Sequence, residues 1–296
     1  MDDGFPIVDS SIMLRDGRRL AYAEYGEPAG WPIMLCHGTP GSRGLYTIAI
    51  RAREAGSRII VADRPGYGGS DFYTGWGMLG WAGDLAQLAD ALGIAQFAVV
   101  GVSGGGPYAA ACAYSLPQRV RVVGLVSSPA PLPGDREGAD QLPPAERELD
   151  EETVAARSMP WPEFLAWFRE HYGSLPPDAD MMLEQLAGGV PECDRMVFGQ
   201  PETQETFRRS FPEMFRQGLG GWAWDSWLLD RPWPFRVQDI AVPAHIWQGE
   251  LDPNVPIERG RYLATAIPNC RATFYAGTGH LLPSECWIDI FTALAS

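Results

Sequence analysis

Ala98-Val99-Val100-Gly101-Val102-Ser103-Gly104-Gly105-Gly106-Pro107 is the stretch on which the reading of this chain turns. An apolar run of strand length, Phe97 to Val102, enters a G-x-S-x-G motif, and an Ala-rich apolar segment from Pro107 to Leu116 leaves it. A strand that turns so abruptly into a helix forces its central residue into a strained backbone. The positions two residues to either side then have room only for very small side chains. Gly101 and Gly105 meet that demand. Ser103 is raised at the carboxyl edge of a sheet with a helix N-terminus beneath it, where the helix dipole favours developing negative charge. A phosphate cradle would require Gly-Lys-Ser or Gly-Lys-Thr, and neither occurs.

A serine hydroxyl is a weak nucleophile at neutral pH and needs a base. Gly277-Thr278-Gly279-His280 follows a strand-like run at Ala272 to Tyr275, which makes His280 the expected base. The imidazole needs a carboxylate to orient it. Asp252 stands in Gln248-Gly249-Glu250-Leu251-Asp252-Pro253, directly after another strand-like run, and Pro253 and Val255-Pro256 fix the turn that aims it. Glu250 is the neighbouring rival. The order Ser103, Asp252, His280 is that of a nucleophile-elbow enzyme. Acyl transfer also needs two N–H donors for the tetrahedral oxyanion. Gly104 follows the serine and supplies one, and Thr39 in His37-Gly38-Thr39-Pro40-Gly41-Ser42 supplies the other. His37 is expected to brace that loop. His245 is expected to pack within its strand, and His171 has no identifiable partner.

Around these motifs, strands are expected at Ser11 to Leu14, Leu20 to Tyr25, Ile33 to Cys36, Arg58 to Ala62, Phe97 to Val102, Val120 to Ser127, Ala244 to Gln248 and Ala272 to Tyr275. Many lack polar alternation, as strands covered on both faces do. Helices are expected at Leu79 to Leu92, Pro107 to Leu116, Ile257 to Ile267 and Leu281 to Leu294. This alternation predicts an α/β fold with a mostly parallel central sheet flanked by helices. It breaks between Pro129 and Asp239, a stretch rich in Pro, Trp and charge. Helices there are expected at Pro144 to Arg157, Pro162 to His171, Ala179 to Leu186 and Gln204 to Phe215. The expected division is a core of residues 1–128 and 240–296 with a helical cap over 129–239. Of the cap aromatics, Trp161, Phe164, Trp167 and Trp227 are expected to touch substrate.

Composition narrows the function. The chain has 296 residues, 46% hydrophobic, with a net charge of −14. An acidic surface repels nucleic acid and anionic lipid, so neither is an expected partner. A small-molecule substrate is, and a homo-oligomer is open. The opening Met1 to Ser11 lacks the basic and apolar regions of a secretory signal, no apolar run spans a bilayer, and the expected location is cytoplasmic. Five scattered cysteines without a C-x-x-C pair suggest mostly small core residues. The four histidines form no ligand pair, so no metal is expected, and acyl transfer by a serine, a histidine and an aspartate needs no cofactor.

Taken together, the motifs resemble those of the α/β-hydrolase superfamily over nearly the whole chain. Asp63-Arg64-Pro65-Gly66-Tyr67-Gly68-Gly69-Ser70 is similar to that family's D-x-x-G-x-G-x-S segment and is expected to shape the pocket rim. The resemblance is closest to helical-capped members, which include proline iminopeptidase-like enzymes, esterases and carbon–carbon hydrolases. Iminopeptidases usually carry a glycine where Thr39 stands. The implied activity is cleavage of an ester- or amide-like bond through an acyl-enzyme, failing on acidification because the base must be neutral. An iminopeptidase, a lyase or carbon–carbon hydrolase on the same triad, a biosynthetic tailoring enzyme and a ligand receptor on the same fold stay open. The acidic run Glu146 to Glu152 reads as a solvated helix face or, in the iminopeptidase alternative, as a receiver for a substrate amine.

Overall fold

A computed structural model of the chain describes residues 8–44, 46–131, 155–156, 158–174 and 178–296. Eight strands form one sheet: β1 (Val8–Met13), β2 (Arg19–Gly26), β3 (Trp31–Cys36), β4 (Ser57–Ala62), β5 (Phe97–Val102), β6 (Val120–Val126), β7 (Ala244–Gly249) and β8 (Cys270–Tyr275). Their spatial order is β1-β2-β4-β3-β5-β6-β7-β8. The β1–β2 and β2–β4 pairs are antiparallel, and all the others are parallel. The interior strands β3 to β6 are buried almost throughout, which accounts for their continuous apolar sequence. The edge strands β1 and β8 are largely exposed and more polar. β1 starts earlier than expected, at Val8, because backbone pairing of Val8 to Glu24 and Asp9 to Ala23 extends it through polar residues.

Helices cover both faces. On one face α2 (Met78–Ala91), α3 (Gly106–Ser115) and α9 (Ile257–Ala266) bury Trp81, Leu85, Tyr108 and Leu263 against the sheet. On the other, α1 (Tyr46–Glu54) and α10 (Cys286–Ala295) bury Ala52, Trp287 and Phe291. Apolar burial at about 25 cal/mol per Å2 is the main stabilising term in such a three-layer core. Helix α1 was not expected from the sequence, since Arg51, Arg53 and Glu54 crowd a short apolar stripe. Helix α10 begins at Cys286 and not at Leu281, because Pro283 disfavours helical backbone at Leu282. Only Cys36 and Cys112 of the five cysteines are fully buried.

A helical insert separates β6 from β7. Its described elements are α4 (Trp161–Tyr172), α5 (Ala179–Gly188), α6 (Glu192–Phe198), α7 (Pro201–Met214) and α8 (Gly220–Leu229). The expected helix at 144–157 and the acidic run at 146–152 lie outside the described residues, save for 155–156. Two helices in the insert escaped the sequence reading: α6 is a seven-residue helix, and α8 opens on two glycines. The second of them, Gly221, has a packing reason. Gly221 lies so close to Gly66 that a Cβ on Gly66 would stand 2.7 Å from the Gly221 Cα. The backbone of α8 therefore rests directly on the Asp63–Ser70 loop.

Candidate active site

Parallel strands end on one side of the sheet, so each loop that leaves a carboxyl end arrives at the same edge. β3 releases the Thr39 loop, β4 the Arg64 loop, β5 Ser103, β6 Ser127, β7 Asp252 and β8 His280. β3 and β5 are direct neighbours in the sheet, which sets Gly38 and Thr39 beside Ser103 and Gly104.

Ser103 begins a short 3-10 turn that runs into α3, and its φ is 50°. A non-glycine residue in the left-handed region costs of order 1–3 kcal/mol and persists only where its surroundings dictate it. The surroundings here are tight. A Cβ at Gly101 would strike the carbonyl of Gly105, and one at Gly105 would strike that of Cys36. His280 Nε2 lies 3.0 Å from Ser103 Oγ. Its Nδ1 is 2.9 and 2.8 Å from the two oxygens of Asp252. Asp252 Oδ1 also accepts the backbone N–H groups of Asn254 and Val255, each at 2.9 Å, so the turn after Pro253 fixes the carboxylate. Its side chain is fully buried, whereas the rival Glu250 is exposed.

The two expected oxyanion donors adjoin. A Cβ on Gly104 would come 2.7 Å from the Thr39 Cβ, and one on Gly38 would stand 3.7 Å from the Ser103 Cβ. Beneath this loop lies a polar hub that the sequence did not reveal. Asp225, on α8, is fully buried, as is Arg64. Arg64 Nη2 is 2.6 Å from Asp225 Oδ2 and donates to Gly38 O at 2.8 Å and Thr39 Oγ1 at 2.9 Å. Thr39 Oγ1, Tyr67 OH and Tyr108 OH all donate to the same carboxylate, at 2.9, 2.9 and 2.6 Å. Burial opposes the charge on Arg64 most, but its surrounding partners together, Asp225 foremost, hold the guanidinium above its ordinary value. Burial, then the Asp225 charge, pushes both phenols well above the usual tyrosine range, so they stay protonated donors. The Asp63–Ser70 loop was expected at the pocket rim. Instead Asp63, Arg64, Tyr67 and Ser70 are buried and support the Thr39 loop from below.

His37 braces this loop, with Nδ1 2.8 Å from Gly38 O and Nε2 accepting the Arg64 N–H at 3.1 Å. Burial, reinforced by the Arg64 charge, pushes its imidazole well below the histidine value of 6.5. The folded chain therefore holds His37 neutral while the unfolded chain protonates it below about pH 6.5. This contribution to stability is present above that pH and lost below it, with a slope approaching about 1.4 kcal/mol per pH unit. Histidine-resolved NMR is expected to show the His37 ring unmoved between pH 7.5 and 5. A midpoint near 6.5 would contradict the burial argument.

His245 stacks on Trp247 within β7, and His171 stacks on Trp167 in the insert. His280 itself is held by more than Asp252. Ser127 Oγ donates to the His280 carbonyl at 2.8 Å. Asp194, on α6 of the insert, accepts the N–H of His280 at 3.0 Å and that of Leu281 at 2.8 Å.

A cavity of about 430 Å3 opens over Ser103, Gly104 and Thr39. Phe164, Trp167, Phe168, Tyr172 and Trp222 line its insert side, and Asp230, Asn254 and Arg259 also border it. Phe164 and Trp167, two of the aromatics expected to touch substrate, thus line this cavity. Trp161 and Trp227 do not line the cavity. They pack on Trp224, at ring distances of 4.6 and 5.1 Å, and Trp227 Nε1 donates to the Met159 carbonyl. Their helices turn those faces to the core, where a buried indole finds both apolar contact and an acceptor.

No helix among the described residues is long and apolar enough to cross a membrane. A non-heme chloroperoxidase of Streptomyces lividans is 34% identical over 125 residues, which cover 41% of this chain and 45% of that protein. The 2-hydroxy-6-oxononadienedioate/2-hydroxy-6-oxononatrienedioate hydrolase of Burkholderia vietnamiensis is 28% identical, covering 84% of this chain and 80% of that one. Among solved structures, a thermophilic esterase from Thermogutta terrifontis superposes with a TM-score of 0.66 at 23% identity, covering 97% of this chain and 96% of its own. The family model of the alpha/beta hydrolase fold matches residues 32–285. With eight strands in a mostly parallel sheet, helices on both faces and a helical insert, the chain belongs to the alpha/beta hydrolase fold family.

Proposed function

We propose that this hydrolase cleaves a carboxylic ester- or amide-like bond of a small molecule through an acyl-enzyme on Ser103. The observation that supports this most directly is the alignment of Ser103 Oγ, His280 and Asp252 at 3.0 and 2.8 Å. Ser103 Oγ attacks the carbonyl carbon while His280 Nε2 takes its proton, and Asp252 stabilises the imidazolium. The backbone N–H groups of Thr39 and Gly104 receive the oxyanion. The leaving group departs with the proton from His280. Water then attacks the acyl carbon, His280 takes its proton and returns it to Ser103, and the acid leaves. The insert, taken as a cap over residues 129–239, roofs the site. Its wall of Phe164, Trp167, Phe168 and Trp222 suits an apolar or aromatic group on the substrate.

Covalent trapping with a fluorophosphonate tests the reading. One adduct is expected, mapped to Ser103, together with turnover of p-nitrophenyl esters that varies with acyl length. Turnover of substrate without any adduct would overturn it. A second reading, cleavage of a carbon–carbon bond in an oxo-dienoate, has support from the 28% identical relative and from Arg259 at the cavity. Turnover of such a compound but of no ester would favour it.

A further inference from the structure

We propose that Asp194 is a positioning residue: the insert reaches across to the loop after β8 and holds the base in its working place. This rests on the reading of His280 as the base. The Asp194 side chain leaves α6, a helix of the insert, and ends on the backbone of a loop 86 residues further along the chain. Asp194 is 1% exposed. One of its oxygens accepts the His280 N–H and the other the Leu281 N–H. Two adjacent donors bound by two oxygens of one rigid group fix the loop's direction as well as its distance.

An independent feature of the sequence agrees. Gly279 precedes the histidine, and a Cβ there would strike the Asp194 carboxylate. That glycine leaves space for Asp194; its φ is not positive, so backbone freedom does not account for it. Gly277, two residues before, has a φ of 71° and open space around it, the opposite case. Together with Ser127 Oγ on the His280 carbonyl and Asp252 on Nδ1, the carboxylate leaves the histidine tied at N–H, C=O and ring. Of these three ties, the one from Asp194 alone comes from the insert. Docking of the insert and placement of the base are thereby one event, since withdrawal of α6 would strip the loop of both acceptors.

Asparagine at 194 would present an N–H2 to one of the two backbone donors, breaking the pair without changing its volume. Asp194→Asn is expected to lower kcat for p-nitrophenyl butyrate by about 10- to 100-fold, with KM within about twofold, because small displacements of a base act on the chemical step. The His280 Nδ1–H proton resonance is expected to shift or broaden at the same time. Val197→Ala on the same helix removes apolar packing alone. It is expected to lower Tm while leaving kcat and the resonance as in the wild type. Asp194→Ser, which keeps one acceptor in a smaller side chain, serves if the asparagine variant does not fold. An Asp194 variant that behaves like Val197→Ala overturns the proposal. A wild-type chain that takes up no fluorophosphonate would refute the hydrolytic reading instead, and the resonance would still report whether Asp194 holds the histidine.

Discussion

Ser103→Gly is expected to reduce kcat by about 10^4-fold or more and, at the same time, to make the protein more stable by about 1 kcal/mol. The first effect follows from the chemistry. On the proposed acyl-enzyme reading, loss of Oγ removes the nucleophile, and the proposed oxyanion donors and the cavity retain only the catalysis they would supply alone. A 10^4-fold loss is about 5.4 kcal/mol of transition-state stabilisation. His280→Ala is expected to cost about as much, and the double variant little more, because residues that act as a unit are not additive. The second effect follows from the backbone. Ser103 sits at φ 50°, a region glycine enters freely. Ser103→Ala serves as the control, since it removes the same oxygen but keeps a Cβ in the left-handed region. It is expected to be equally inactive yet to lack the gain in stability. Steady-state hydrolysis of a p-nitrophenyl ester and urea unfolding measure the two effects. A glycine variant no more stable than the alanine variant would show that the elbow carries no strain.

The elbow could be read in the sequence because everything that specifies it is local. The strand pattern, the flanking glycines and the apolar helix all lie within twenty residues of Ser103. Asp252 and His280 were legible for a related reason: each stands directly beyond a strand, and parallel strands end on one edge. Asp194 and Asp225 were not. Their partners lie 86 and 161 residues away, and an aspartate in a helix reads as a solvated face until the packing is known. The aromatic residues of the insert show a middle case. As aromatics of the expected cap, Phe164, Trp167, Trp161 and Trp227 looked alike in the sequence. Only the register of α4 and α8 decides that the first two border the cavity and the last two pack on Trp224, Trp161 edge-on and Trp227 stacked. The Asp63–Ser70 loop was recognisable as a motif, but its burial involves distant groups, among them Asp225 and Gly221 of the insert.

Asp225→Asn is expected to destabilise the fold by about 3–5 kcal/mol, the cost of leaving one charge of a buried pair uncompensated. Arg64 and Asp225 are both fully buried, so no water can replace the missing partner. The loss spreads further, because Tyr67, Tyr108 and Thr39 donate to the same carboxylate and belong to the loop after β4, helix α3 and the loop after β3. At roughly 2–4 °C per kcal/mol for a chain of this size, Tm should fall by about 10 °C. The effect must exceed that of breaking an exposed pair such as Arg208–Asp180, 2.7 Å apart, where about 0–1 kcal/mol is at stake. Catalysis should suffer beyond the loss of folded protein. Asp225 accepts from Thr39 Oγ1 and also fixes Arg64, which donates to the same oxygen, and Thr39 adjoins Gly104 at the expected oxyanion site. The remedy separates the two effects. Replacing both partners, Arg64→Met with Asp225→Leu, removes the stranded charge and should recover part of the stability, but only part, because the buried phenols of Tyr67 and Tyr108 and the Gly38 carbonyl lose their partners. It restores no acceptor for Thr39, so kcat is expected to stay low. Recovery of kcat along with Tm in the double variant would mean that the hub serves the fold alone, with no part in holding the loop for chemistry.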